Sequence, residues 1–328
     1  MLVVVRIGMT IGGDVLARPS APSEVVADAL RAEDEGYATA WTVHLSRAYD
    51  ALTTLAVAGT QTSRIELGVG VVPTYPRHPL ALAQQAVTAQ TFCGGRLTLG
   101  IGVSHRPVIE ELHGLPYAAP AAHMREYLSV LGPLLRGETV TFAGEHYRVD
   151  GGFTVVGGRP VSVLVGGLSP RMVRVAGELA DGVITWLVGP RTVGDVAANL
   201  QAAGPGTRLV AALPVAVHDD PDAARDAAEI CFARYNGLDN YRRQFEREGV
   251  ASVGALAVVG PEADVEKQLR RLADLGVTDL WPVPFPVGSG DTRRTRELLA
   301  TLGDGSRRSL RSLRGGYVLR AHHRRSSA

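Results

Sequence analysis

Short β-branched runs alternate with longer helical stretches along almost the whole chain, and this alternation restricts the fold more than any other feature. Strand-like runs fall at 3–11, 39–43, 65–72, 97–101, 161–165, 182–186, 208–217, 255–259 and 279–283. The intervals read as helices. The first is opened by Pro22-Ser23, with Val26, Ala29, Leu30 and Glu33 on one face, and Asp50 starts the next. Pro79 suits the first turn of a third helix carrying Leu80, Ala83 and Val87. Such a β-α-β-α succession calls for a parallel sheet with crossover helices. The run 65–72 has no polar alternation beyond Glu66, as a strand buried on both faces requires. The expected fold is therefore α/β, a closed (β/α)8 TIM barrel. A doubly wound open sheet is the alternative, but no Gly-rich dinucleotide turn follows any strand. Which of the runs between 208 and 260 are barrel strands stays open.

The rhythm pauses once. Residues 104–160 hold a helical stretch, a second helix over 123–135 and a hairpin through Phe142-Ala143-Gly144-Glu145. Insertions in barrels commonly occupy the loops at the catalytic end, so this stretch is expected to be an elaborated loop after strand 4. One barrel domain is expected over 1–303. The remainder, 304–328, is basic, Ser-rich and without apolar periodicity, and reads as a disordered, solvated end.

Composition excludes several function classes. A net charge of +1 gives no footing for nucleic acid or an anionic membrane surface. No apolar run is long enough to span a bilayer, and the apolar start, Met1–Val5, is too short for a secretory signal. Two cysteines, Cys93 and Cys231, form no disulfide framework and lack metal-ligand spacing. A cytoplasmic protein with a small-molecule substrate and no metal is expected.

In a barrel, chemistry sits at the C-terminal ends of the strands. Four such places carry suitable residues. His44 follows Trp41-Thr42-Val43; an imidazole there would face the barrel mouth and exchange protons near neutrality. Trp41 could wall a ring cofactor, with a plain core tryptophan as the alternative. Gly68-Val69-Gly70-Val71 permits close backbone approach by a planar ligand, or tight strand packing. Gly100-Ile101-Gly102-Val103-Ser104-His105 repeats the theme and adds a second histidine. Gly166-Gly167-Leu168-Ser169-Pro170-Arg171 runs from a strand into a helix start, whose open amides, with Ser169 and Arg171, could bind an anion. No Gly-x-Ser-x-Gly elbow, Walker sequence or His-Glu-x-x-His occurs.

These pieces, in this order, resemble the bacterial-luciferase-like superfamily of barrel oxidoreductases, and most closely its branch using the deazaflavin coenzyme F420. The matching stretches are Thr39–His44, Arg64–Val71, Arg77-His78-Pro79-Leu80, Gly94–Gly102, Ala176–Gly182, Val259-Gly260-Pro261 and Gly276–Leu280. The resemblance implies hydride transfer between F420 and a small organic substrate. It sets His44 beside the reactive carbon as a proton carrier, and a non-proline cis peptide at Gly70–Val71 against the ring. It gives the cofactor phosphate to the amides of Gly166 and Gly167. An FMN-dependent monooxygenase on the same fold is the alternative, and a non-catalytic flavin-binding protein a further one. A homodimer is the default assembly. Two departures stand out. Val43 occupies a position that is acidic in many relatives, and His105 stands where some sugar-phosphate dehydrogenases of the branch have a carboxylate. His105 is thus a candidate substrate contact or second acid/base.

Overall fold

The structure, a computed structural model, describes residues 5–155, 158–204, 206–288, 290 and 292–303. The expected tail from 304 and the first residues of the first predicted strand lie outside them. In chain order the strands are β1 (Arg6–Thr10), β2 (Thr39–Thr42), β3 (Glu66–Pro73), β4 (Leu97–Gly102), β5 (Val140–Ala143), β6 (Arg148–Gly151), β7 (Ser162–Gly166), β8 (Gly182–Trp186), β9 (Arg208–Val217), β10 (Val258–Gly260) and β11 (Asp279–Pro284). The helices are α1 (Pro22–Asp34), α2 (Ala51–Gln61), α3 (Pro79–Phe92), α4 (Pro120–Leu135), α5 (Pro170–Leu179), α6 (Pro190–Ala203), α7 (Pro221–Phe232), α8 (Asp239–Glu248) and α9 (Glu262–Asp274). A last helix covers 293–303.

Eight strands close in the order β1-β2-β3-β4-β7-β8-β9-β11, every neighbouring pair parallel, with β11 returning to β1. This is the expected (β/α)8 barrel. The ambiguity near 208–260 resolves in favour of β9. Its residues Arg208–Val215 pair with β8 and β11, whereas β10 adds three residues against Val215–Val217. Six of the nine helices α1 to α9 start with proline in the first two positions. Proline there loses no hydrogen bond and presets the helical φ, so it marks where each strand-to-helix turn ends. No described helix is long and apolar enough to cross a membrane.

The stretch after β4 needs refinement. Its helix α4 is not part of a loop: it packs between α3 and α5 as the fourth member of the helical ring. Two segments are additional. One is 103–119, at the C-terminal end of β4. The other is the β5–β6 hairpin, whose turn reaches back along α4, so that the Glu126 carboxylate accepts the amides of Glu145, His146 and Tyr147. The helix α8 was not anticipated at all. It carries Tyr241, Gln244 and Phe245 inward, and its Glu248 caps the start of α6 by accepting from the Arg191 and Thr192 amides.

Two indoles fill the barrel interior. Trp41 (β2) and Trp281 (β11) stack with centroids 5.0 Å apart and planes 18° from parallel. Glycine makes the room: a Cβ on Gly68 would lie 2.2 Å from the Trp41 ring, and one on Gly70 2.4 Å from the Trp281 ring. The packing reading of the Gly68–Gly70 segment is thereby realised, since no side chain fits where the indoles lie. At the opposite, N-terminal face the first residues of four strands form a charged plug. Arg6 pairs with Glu66 and Asp279 at 2.6 and 3.1 Å. Arg208 pairs with the same two carboxylates at 3.0 and 2.7 Å.

Candidate active site

The mouth at the C-terminal strand ends is built around a backbone irregularity. The β3–β4 register slips between Val69 and Val72, and within that slip the Gly70–Val71 peptide is cis. The slip turns the Val71 side chain across the mouth into a slot between the ends of β4 and β7. A Cβ on Gly102 would come within 2.6 Å of Val71 Cγ2, and one on Gly166 within 3.0 Å of Val71 Cγ1. Three of the residues singled out from sequence are thus neighbours, with Val71 partly exposed above them. Ser104, two residues beyond Gly102, has φ 60°, an uncommon left-handed conformation for a residue with a Cβ.

Trp41 does not belong to the mouth. It has no exposed surface and one of its faces is covered by Trp281, so it offers no wall to a ligand. The partly exposed indole at a strand end is Trp186, which closes β8 and meets Phe232 and Tyr235 edge-on.

The two histidines differ in how they are held. The His44 side chain is 8% exposed and turned onto the loops after β2 and β3. Arg77 Nη1 lies 3.2 Å from its Nε2, and the Ala51 amide lies 3.4 Å from its Nδ1. Both ring nitrogens thus meet donors from the neighbouring loops. Arg77 is itself tied to Asp50 through Nη2 at 2.7 Å, and Asp50 Oδ2 sits 3.9 Å from His44 Nδ1. A carboxylate thus stands near His44 from the N-cap of α2, while position 43 is valine. Burial first, then the Arg77 cation, push the His44 pKa down to about 4; Asp50 opposes this and His113 adds slightly to it. His105 is partly buried, and burial lowers its pKa too. Its imidazole makes no side-chain hydrogen bond among the described residues; its ring leans 5.9 Å from that of the buried Tyr241 on α8.

The turn after β7 is divided between two tasks. The Gly167 amide is already committed to the Ile184 carbonyl at 3.3 Å, and a Cβ on Gly167 would strike Met172 at 2.5 Å. Gly167 therefore packs the helix start rather than offering a donor. Ser169 caps α5 by accepting from the Met172 amide at 3.3 Å. The amides of Leu168, Ser169 and Arg171 carry no hydrogen bond among the described residues, and Arg171 is exposed. Open amides at a helix N-terminus favour an anion. No cluster of three or more side chains suited to a metal occurs among the described residues.

Sequence reasoning passed over Arg77, Asp50 as a partner of His44, and Tyr241. Arg77 stood in a quoted motif, Arg77-His78-Pro79, but its target lies 33 residues away.

Comparison with known proteins agrees with this picture. The model of the luciferase-like monooxygenase family matches residues 1–279. A Mycobacterium tuberculosis protein provisionally named a coenzyme F420-dependent oxidoreductase is 32% identical, over 90% of this chain and 98% of its own. The coenzyme F420-dependent tetrahydromethanopterin reductase of Methanopyrus kandleri superposes with TM-score 0.72 at 23% identity, over 90% of this chain and 97% of its own. The FMN-bound oxygenating constituent of 3,6-diketocamphane monooxygenase from Pseudomonas putida gives 0.72 at 16%, over 92% and 98%. The chain belongs to the luciferase-like monooxygenase family and is an oxidoreductase of that family.

Proposed function

We propose that this enzyme transfers a hydride between the deazaflavin coenzyme F420 and a small organic substrate held at the barrel mouth. The observation that carries the reading is the slot at the ends of β3, β4 and β7, where a Cβ at Gly102 or Gly166 would crowd Val71. A partly exposed apolar ledge flanked by glycine backbone suits a flat ring that needs close approach. Gly70, Val71, Gly102, Ser104 and Gly166 would lie along that ring. The open amides of Leu168, Ser169 and Arg171, with the Arg171 guanidinium, would take the cofactor phosphate. When bound, a deazaflavin supplies a carbon centre that accepts or gives a hydride. The protein's own contribution is orientation, water exclusion and proton transfer. His44 is the proposed proton carrier, and His105, whose ring nitrogens have no hydrogen-bond partner among the described residues, a substrate contact or second acid/base. The buried Tyr241 of α8 lies beside the His105 ring and would help keep water from that side. The relative from M. tuberculosis favours F420 over FMN. The test is a fluorescence titration of the purified protein with oxidised F420 beside FMN. Tighter F420 binding is expected; a preference for FMN would replace this reading with a monooxygenase.

The assembly we propose is a homodimer joined through α2 and α3. These adjacent helices contain no charged residue over their combined lengths, and Val57 and Phe92 are exposed on them. Neutral helix faces with exposed large apolar groups suit a partner surface. Light scattering should give twice the chain mass for the native protein and the single chain mass for the Val57→Glu/Phe92→Glu variant. A native monomer, or an unchanged mass in the variant, would refute this.

A further inference from the structure

We infer that Arg77 is a positioning residue that latches His44, holding it neutral with its proton on Nδ1 and its Nε2 lone pair engaged. The inference rests on the reading of His44 as the proton carrier and concerns how that carrier is kept ready.

What each group can donate decides the tautomer. A guanidinium has donors and no acceptor, so the 3.2 Å contact from Arg77 Nη1 requires a lone pair on His44 Nε2. At Nδ1 the nearest protein donor is the Ala51 amide at 3.4 Å, which also asks for a lone pair. A neutral imidazole has one N–H, so one of these two contacts must be unfavourable. The charged, shorter contact decides, because a charge-assisted hydrogen bond is roughly twice as strong as a neutral one. The proton therefore goes to Nδ1, where Asp50 Oδ2, 3.9 Å away, draws it further. The imidazolium is disfavoured because it would place a second N–H and a second positive charge against Arg77.

Arg77 is held in this position from the other side. Its Nη2 donates to Asp50 Oδ2 at 2.7 Å. Asp50 Oδ1 is fixed in turn by Gln85 Nε2 at 2.9 Å and by the Thr53 amide and hydroxyl at 2.8 Å. The charged and titratable groups facing His44 are thus Arg77 from the loop before α3, Asp50 before α2, and His113 beyond β4. The last donates to or accepts from Ser46 Oγ at 2.9 Å. The low pKa of His44, whose second cause is Arg77, agrees with the latch. For His44 to take a substrate proton, Nη1 must leave Nε2; the separate Nη2 contact to Asp50 would keep the arginine in place while it does.

The test is nitrogen NMR of histidine-labelled protein without cofactor, across pH. The native enzyme should show His44 with an unprotonated Nε2 and a protonated Nδ1 at neutral pH, titrating near 4. In Arg77→Gln the midpoint should rise by about a pH unit or more, since one cation and its directional contact are lost. Arg77→Lys, which keeps the charge but not the fork, should fall between. A native His44 with its proton on Nε2, or an Arg77→Gln midpoint equal to the native one, would overturn the latch. Should Arg77→Gln not fold, the native tautomer and the Lys variant decide on their own. Failure of the native protein to bind F420 would remove the functional reading while leaving these spectra interpretable.

Discussion

Replacing Asp279 with Ala is expected to cost about 3 kcal/mol of stability, roughly 5–10 °C in the melting temperature, with the cofactor site unaffected. Asp279 is almost fully buried at the N-terminal face of the barrel. It accepts from Arg208 Nη2 at 2.7 Å, from the Thr278 hydroxyl at 2.7 Å and pairs with Arg6 at 3.1 Å. Removing it leaves two guanidiniums sharing Glu66 alone. Breaking one member of a buried ionic cluster is costlier than the cluster is worth, because the partners stay desolvated. The side chains of Arg6 and Arg208 are 36% and 19% exposed, and this residual solvation holds the cost toward the lower end of the range. Conservation of activity per folded molecule follows from location, since the plug lies at the end of the barrel opposite the mouth. A fall of less than about 2 °C would contradict this account of the plug. Glu66 adds a pH dependence. Burial raises its pKa, but Arg6, Arg208 and the Thr98 hydroxyl outweigh that and lower it overall. Its stabilisation is therefore present above the ordinary glutamate pKa and lost as pH falls through the lowered folded value. Acid unfolding should be less steep in Glu66→Gln.

His44→Ala should lower turnover about 10²- to 10⁴-fold, the span that positioned proton transfer contributes, while F420 affinity stays near native. The split between the two readouts matters. A residue needed merely to support the β2 loop would disturb binding and rate together, whereas a proton carrier affects the chemical step. Direction also follows from the lowered pKa. His44 acts as a base in its neutral form, so in substrate oxidation kcat/KM should be flat at neutral pH and fall only as pH approaches about 4. In the reverse sense His44 must be protonated, and that rate should already decline with rising pH above this value. Unchanged turnover in the alanine variant would remove the proton role and shift attention to His105.

The barrel was legible in the sequence because its units repeat one physical statement: an apolar run buried on both faces, then a helix whose first turn is in most cases marked by proline. What escaped the reading had weak local signals. The helix α8 has a chain of charges, Arg242, Arg243, Glu246, Arg247 and Glu248, and no capping side chain at its start. Its inward residues, Tyr241, Gln244 and Phe245, keep helical spacing, and Gly249 with φ 73° ends it, a stop signal that was visible in the sequence. Trp41 shows the limit of pattern reading. Alternation along β2 places its side chain on the inner face, but whether that means the mouth or the filled interior depends on Trp281, 240 residues away. The same holds for His44. Its position at a strand end was evident, yet the direction of its ring is set by Arg77 and Asp50 from two other loops. Glycines carried both meanings at once: Gly68 serves the indole stack, whereas Gly102 and Gly166 frame Val71.

The measurement that bears most directly on the central claim is the F420 titration followed at the methyl resonances of selectively labelled valines, with FMN in parallel. Val71 lies between Gly102 and Gly166 where the ring is proposed to rest, so its methyls should show the largest ring-current shifts, saturating with F420 at lower concentration than with FMN. Saturable F420 binding that leaves Val71 unmoved, or perturbs valines remote from the mouth instead, would contradict the proposed site.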